Sequence, residues 1–153
     1  KAMSGPASPL PQAVLFACSH NVIRSPIAAA LFKDRWGKFC FVDSCGVHAG
    51  EPDPLATEVM KEYGLDISKH RPKTFADLED TNFDLVISLT PEAHHNALDM
   101  THTMAIEAEY WPTMDPSITS GSREQILDSY REVRDQLVRR IKQRFGSMAA
   151  RGV

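Results

Sequence analysis

Nine consecutive residues hold the densest chemistry in the chain: Cys18-Ser19-His20-Asn21-Val22-Ile23-Arg24-Ser25-Pro26. A thiol and a guanidinium stand with five residues between them. A loop of that length, set between a strand end and a helix start, can turn its backbone N–H groups inward. With the positive end of the helix dipole, those donors form an anion cradle. The planar fork of Arg24 suits two oxygens of a tetrahedral oxyanion. Cys18 would lie on the cradle floor, where the same field favours its thiolate, the nucleophilic form. A phosphate ester held there would present its phosphorus to sulfur. The expected binding loop is therefore Ser19, His20, Asn21, Val22, Ile23, Arg24 and Ser25, with Cys18 as nucleophile.

The elements needed to position that loop are legible around it. Ala13 to Ala17 is a short apolar run, read as a buried strand. Ser25 to Trp36 reads as a helix, with Ser25 as N-cap and Pro26 at the first helical position. Phe39 to Ser44 is rich in strand formers and Gly46 to Pro54 is loop. Pro54 to Tyr63 is helical and Gly64 stops it. Arg71 to Phe75 is a short strand candidate weakened by Pro72, followed by a helical turn over Ala76 to Asp80. Phe83 to Leu89 is the second clear central strand, Pro91 to Met100 a helix, and Ala105 to Tyr110 a fourth strand. Arg123 to Phe145 is a long amphipathic helix, with Ile126, Tyr130, Val133, Leu137 and Ile141 at helical spacing. Strands separated by helices predict βαβ units: an α/β fold with a four-stranded parallel sheet and helices on both faces, in three layers. Ligands in such folds sit beyond the carboxyl ends of the strands, which is where Cys18 falls.

The chain has 153 residues, 42% hydrophobic and 24% charged, enough for one core. Residues 1–11, with three prolines, read as a loose arm, 12–146 as a single domain and 147–153 as a tail. Seventeen Lys and Arg against twenty Asp and Glu give a net charge of −3, against general nucleic-acid binding. No apolar run approaches the roughly 18 residues of a membrane helix, and no signal peptide is expected. Three widely spaced cysteines without a CxxC pair are neither a disulfide framework nor a zinc site. A reducing, cytoplasmic setting is expected. His94, His95 and His102 lack partner spacing for a metal and read as a solvated helix face, as do the charges of Arg123 to Arg144.

Cys18 to Pro26, entered from Val14-Leu15-Phe16-Ala17, resembles the signature of the low-molecular-weight protein tyrosine phosphatases and their thioredoxin-coupled arsenate reductase relatives. The resemblance runs over residues 13–145. Asp43-Ser44-Cys45-Gly46 matches the family's turn after the second strand, His70-Arg71-Pro72 a later segment, and Asp115-Pro116 the general-acid pair. It implies a flavodoxin-like fold, no cofactor and no metal. It implies Cys18, Arg24 and Asp115 as catalytic residues. Asp115 would protonate the leaving oxygen and then activate water against a cysteinyl-phosphate. It also implies that Asn21 is held in a strained conformation by Ser25, Ser44 and His70, and that Ser25 bonds the thiolate.

The chain departs from its relatives at the rim. The loop Val47-His48-Ala49-Gly50-Glu51 has no Trp or Tyr, and Ser117-Ile118 stands where tyrosines are usual. Both aromatic walls of a phosphotyrosine slot are missing, and Trp111 is the nearest aromatic candidate. Ile23 replaces a second loop cysteine and His20 replaces a glycine. Ser88-Leu89-Thr90-Pro91 replaces the reductases' resolving cysteines. The expected activity is hydrolysis of phosphate monoesters, on a phosphorylated protein or a small ester, with inorganic phosphate or arsenate as further ligands. The alternatives are an arsenate reductase using an external thiol and a phosphate-binding module without turnover.

Overall fold

The computed structural model describes residues 10–79 and 82–146. Of the arm expected over 1–11, only Leu10 and Pro11 fall within them. Pro11 is buried and Leu10 packs against the core. The expected tail, 147–153, lies outside the described residues.

Four parallel strands form one sheet: β1 (Ala13–Cys18), β2 (Phe41–Gly46), β3 (Leu85–Ser88) and β4 (Glu107–Tyr110), in the order β2-β1-β3-β4. Four helices connect and follow them: α1 (Arg24–Trp36), α2 (Pro54–Glu62), α3 (Pro91–Thr101) and α4 (Arg123–Phe145). The α/β class and the three layers agree with the sequence reading. β1 is buried at every position, as expected of a strand covered on both faces. Its side chains alternate. Val14, Phe16 and Cys18 face a cluster built with α1, α2 and α4, while Ala13, Leu15 and Ala17 face α3 through Ala93 and Ala97.

Several local expectations are corrected. Ser25 is not the cap of α1: Ile23 occupies that position, the helix starts at Arg24, and the Ser25 hydroxyl is engaged elsewhere. The segment 71–75 is not a strand but a single bridge between Gly46 and Thr74, because Pro72 lacks the N–H a ladder needs. β2 begins at Phe41 rather than Phe39. His94 is not on a solvated face. It stacks on Tyr110 with ring centroids 4.7 Å apart and meets Ser88 Oγ at 2.9 Å. His95 and His102 are exposed. The α4 charges are not merely solvated either: Arg131 and Arg134 share Glu62 of α2, and Arg144 reaches Glu109.

Candidate active site

β1 delivers Cys18 to the carboxyl edge of the sheet, and the chain reaches the start of α1 within five residues. The peptide planes of this loop are oriented from outside. Val47 N–H donates to the Cys18 carbonyl (3.1 Å), His48 N–H to that of Ser19 (2.8 Å) and Gly50 N–H to that of His20 (2.9 Å). His70 Nε2 donates to the Asn21 carbonyl at 2.8 Å. In a planar trans peptide the N–H points opposite to the C=O. With those four carbonyls drawn away, the N–H groups of Ser19, His20, Asn21 and Val22 face the other way. Neither they nor Ile23 N–H has a partner among the described residues.

Asn21 allows this curvature. Its φ of 58° lies in the left-handed region that Asn tolerates better than most residues. The side chain is fully buried, and Nδ2 donates to Ser25 Oγ (2.9 Å) and Ser44 Oγ (3.0 Å). Its Oδ1 accepts from Lys73 N–H at 3.0 Å. Ser25 Oγ also lies 3.0 Å from Cys18 Sγ. Asn21, Ser25, Ser44 and His70, singled out in the sequence as loop support, are thus brought into contact. Burial lowers the His70 pKa, against the Asn21 carbonyl, which favours the proton. Gly46 is required here, since a Cβ would sit 2.8 Å from Asn21 N and 2.6 Å from the His48 carbonyl.

Arg24 is held from the far side of the sheet: its guanidinium donates to the Thr113 carbonyl at 3.0 Å. Thr113 is fixed in turn, its N–H on the Leu89 carbonyl and its hydroxyl on that of Trp111. Ser19 Oγ bonds Thr90 Oγ1 at 3.2 Å, and Thr90 also caps α3 through Ala93 N–H.

Asp115 closes the site. Its Oδ1 accepts from the Ser117 N–H (2.9 Å) and hydroxyl (2.7 Å). Partial burial pushes the carboxyl up, but the two Ser117 bonds, then Arg24 and His20, outweigh it and leave it below its usual range. Cys18, His20, Val22, Ile23, Arg24, Asp115 and Ser117 line one cavity of about 50 Å³. Larger grooves of about 460 and 480 Å³ lie at the opposite edge of the sheet around Asp84 and hold no Cys, Ser or Thr.

Trp111 does not wall the cavity. It is buried against Phe16 and Phe145, with Arg140 stacked over it. The other two thiols do not line the cavity. Cys45 packs on the opposite face of the sheet, and burial raises its pKa, reinforced by Cys18 and Asp43. Cys40 precedes β2 at the other edge, one strand length from Cys18, roughly 20 Å at 3.3 Å per residue. Its pKa is pushed up to about 11 by burial and Asp84. Among the described residues no three His, Cys, Asp or Glu are grouped to hold a metal ion, and no helix is long and apolar enough to cross a membrane.

Sequence reading missed Thr113, Thr90, Lys73 as an N–H donor, and Ser117. Thr113 and Lys73 act through the backbone and leave no mark in residue type. Ser117 did leave one: Asp-x-Ser is the local pattern of a carboxylate that caps its own turn.

The family model described as low molecular weight phosphotyrosine protein phosphatase matches residues 13–151. An arsenate reductase of Bacillus subtilis is 31% identical over 130 residues, covering 85% of this chain and 92% of its own. A low molecular weight phosphotyrosine protein phosphatase of Schizosaccharomyces pombe is 36% identical over 86 residues, half of this chain and 54% of its own. Among solved structures, an arsenate reductase in the phosphate binding state superposes with a TM-score of 0.68 at 29% identity, covering 86% of this chain and 95% of that one. The chain belongs to the low molecular weight phosphotyrosine protein phosphatase family, whose members are enzymes.

Proposed function

We propose that this protein hydrolyses phosphate monoesters through a cysteinyl-phosphate. The observation that carries the proposal is a thiol at the floor of a cradle whose N–H groups have no partner among the described residues. Three equatorial oxygens of a phosphoryl group would take up those donors and the Arg24 fork. Cys18 Sγ attacks phosphorus as the P–O bond to the leaving group breaks, and Asp115 gives that oxygen its proton. A water then attacks phosphorus, the Asp115 carboxylate takes its proton, and the P–S bond breaks to return the thiolate. Ser25, 3.0 Å from sulfur, stabilises the thiolate as it leaves. Phosphate, and arsenate of the same shape, would occupy the cradle as ligands.

The second reading, arsenate reduction, has the relatives' names in its favour. Reduction needs thiols to resolve the adduct. Cys45 lies behind the sheet and Cys40 one strand length away, so an external thiol would have to serve. Hydrolysis of an aryl phosphate between pH 5 and 7, beside arsenate turnover with added thiol, separates the two. The hydrolase reading expects the first activity and its loss in Cys18→Ser, a near-isosteric change that keeps the cradle. A Cys18→Ser protein with wild-type turnover would defeat the covalent mechanism, and thiol-dependent arsenate turnover without phosphate-ester hydrolysis would install the second reading.

A further inference from the structure

A cavity of about 50 Å³ takes the phosphoryl group and little more, since one water's share of the liquid is about 30 Å³. The rest of any substrate must lie on the rim, and the rim's chemistry sets its choice. On one side stand two imidazoles. His20 of the cradle loop and His48 of the loop after β2 lie with ring centroids 5.7 Å apart and planes 30° apart. Their backbones are tied together, because His48 N–H donates to the carbonyl of Ser19 and Gly50 N–H to that of His20. His48 Nε2 meets Glu92 Oε2, in the first turn of α3, at 3.2 Å, and both side chains are more than half exposed. The His20 ring makes no hydrogen bond among the described residues and is close enough to Asp115 to depress its pKa.

We propose that this imidazole pair selects phosphate esters that carry a second anionic group beside the phosphate. The proposal rests on the phosphatase reading and adds the substrate class. With both rings neutral, the mouth carries one cation, Arg24, against three anions, Glu92, Asp115 and the Cys18 thiolate. With both rings protonated it carries three cations against the same three. Of the neighbouring acids, Asp53 is engaged by Leu55 N–H and the Tyr130 hydroxyl, and Glu51 is exposed at the end of the loop. Protonating the pair therefore moves the mouth away from net negative charge. Two imidazoliums at this spacing also repel each other. An anion lying against both relieves that repulsion, so its binding and ring protonation are coupled.

The test compares matched substrates on the full chain: 3-carboxyphenyl against 3-carbamoylphenyl phosphate, and one phosphopeptide with Asp against Asn beside the phosphorylated residue. The phosphate is common to each pair, so its own titration cancels in the ratio of kcat/KM. The anionic member is expected to be favoured about fivefold near pH 5.5, the scale of one exposed ion contact. The preference should fall towards unity near pH 8 and shrink in about 0.5 M salt. His48→Gln should bring the ratio close to one. A preference in the peptide pair alone identifies a phosphoprotein as the source of the anion; one in both pairs, any ester of this class. A ratio flat with pH, or one that survives both His48→Gln and His20→Asn, overturns the inference while leaving the hydrolase standing. Absence of hydrolysis for every substrate overturns the hydrolase reading and this inference with it.

Discussion

At the residue scale the pattern Cys18-x5-Arg24 was legible, because a strand end and a helix start separated by five residues bring a thiol and a guanidinium to one cavity. Asp115 is the contrasting case. It is distant in sequence, only the family resemblance nominated it, and its fastening to Ser117 was overlooked. That fastening shapes its titration. Since the Ser117 bonds, Arg24 and His20 hold the carboxyl below the usual value of about 3.9, its protonated fraction in the free enzyme declines as pH rises above that range. For esters with poor leaving groups, Asp115→Asn should lower kcat/KM by about 10²–10⁴-fold and flatten its fall with rising pH. For leaving groups that need no proton the loss should be small. An equal loss across leaving groups would make Asp115 a structural residue.

At the element scale, the order of strands and helices was legible from apolar runs and from Gly and Pro punctuation, while ends were not. Ser25 looked like a cap because Ser before Pro usually is one. Here the helix begins one residue earlier, and the hydroxyl joins the thiol and Asn21 instead. The support for the loop comes from three separate segments, among which His70 is testable by pH. Its native pKa is lowered by burial. Between that value and the unfolded value of about 6.5, the unfolded chain binds a proton that the native one refuses, so stability falls as pH drops through this window. His70→Ala should cost about 1 kcal/mol at pH 7 through the lost bond to the Asn21 carbonyl, some 2–4 °C in Tm. It should also flatten the decline of Tm from pH 7 to 5.5. A variant that declines as steeply as wild type would assign the acid sensitivity elsewhere.

At the scale of the whole molecule, the long closing helix does what neither its spacing nor its charges revealed. Its apolar stripe was readable, but the aromatic cluster at its end was not, since those partners are brought together only by folding. Phe145 is fully buried and meets Phe32 at 5.0 Å, Trp36 at 5.9 Å and Trp111 at 6.4 Å between ring centroids. Trp111 leads directly into the turn whose Thr113 carbonyl holds Arg24. Phe145→Ala should therefore cost about 3–5 kcal/mol in urea unfolding. It should also weaken phosphate binding, since the opened cavity frees Trp111 and its turn. Full stability in that variant would mean that α4 is anchored by its ion pairs to α2 instead.

The outward pull on four carbonyls of the cradle has a signature in solvent exchange. A loop this well tied is rigid, and rigid backbone is ordinarily slow to trade its amide protons for deuterium. Here the opposite is expected of Ser19 through Ile23. Their amides have no acceptor among the described residues, so they should exchange quickly in the free protein while flanking β1 and α1 stay protected. Saturating phosphate should slow those same five amides together, leaving a footprint of the anion drawn in protons rather than in side chains. Slow exchange in the free protein would show that the loop's donors are already spent.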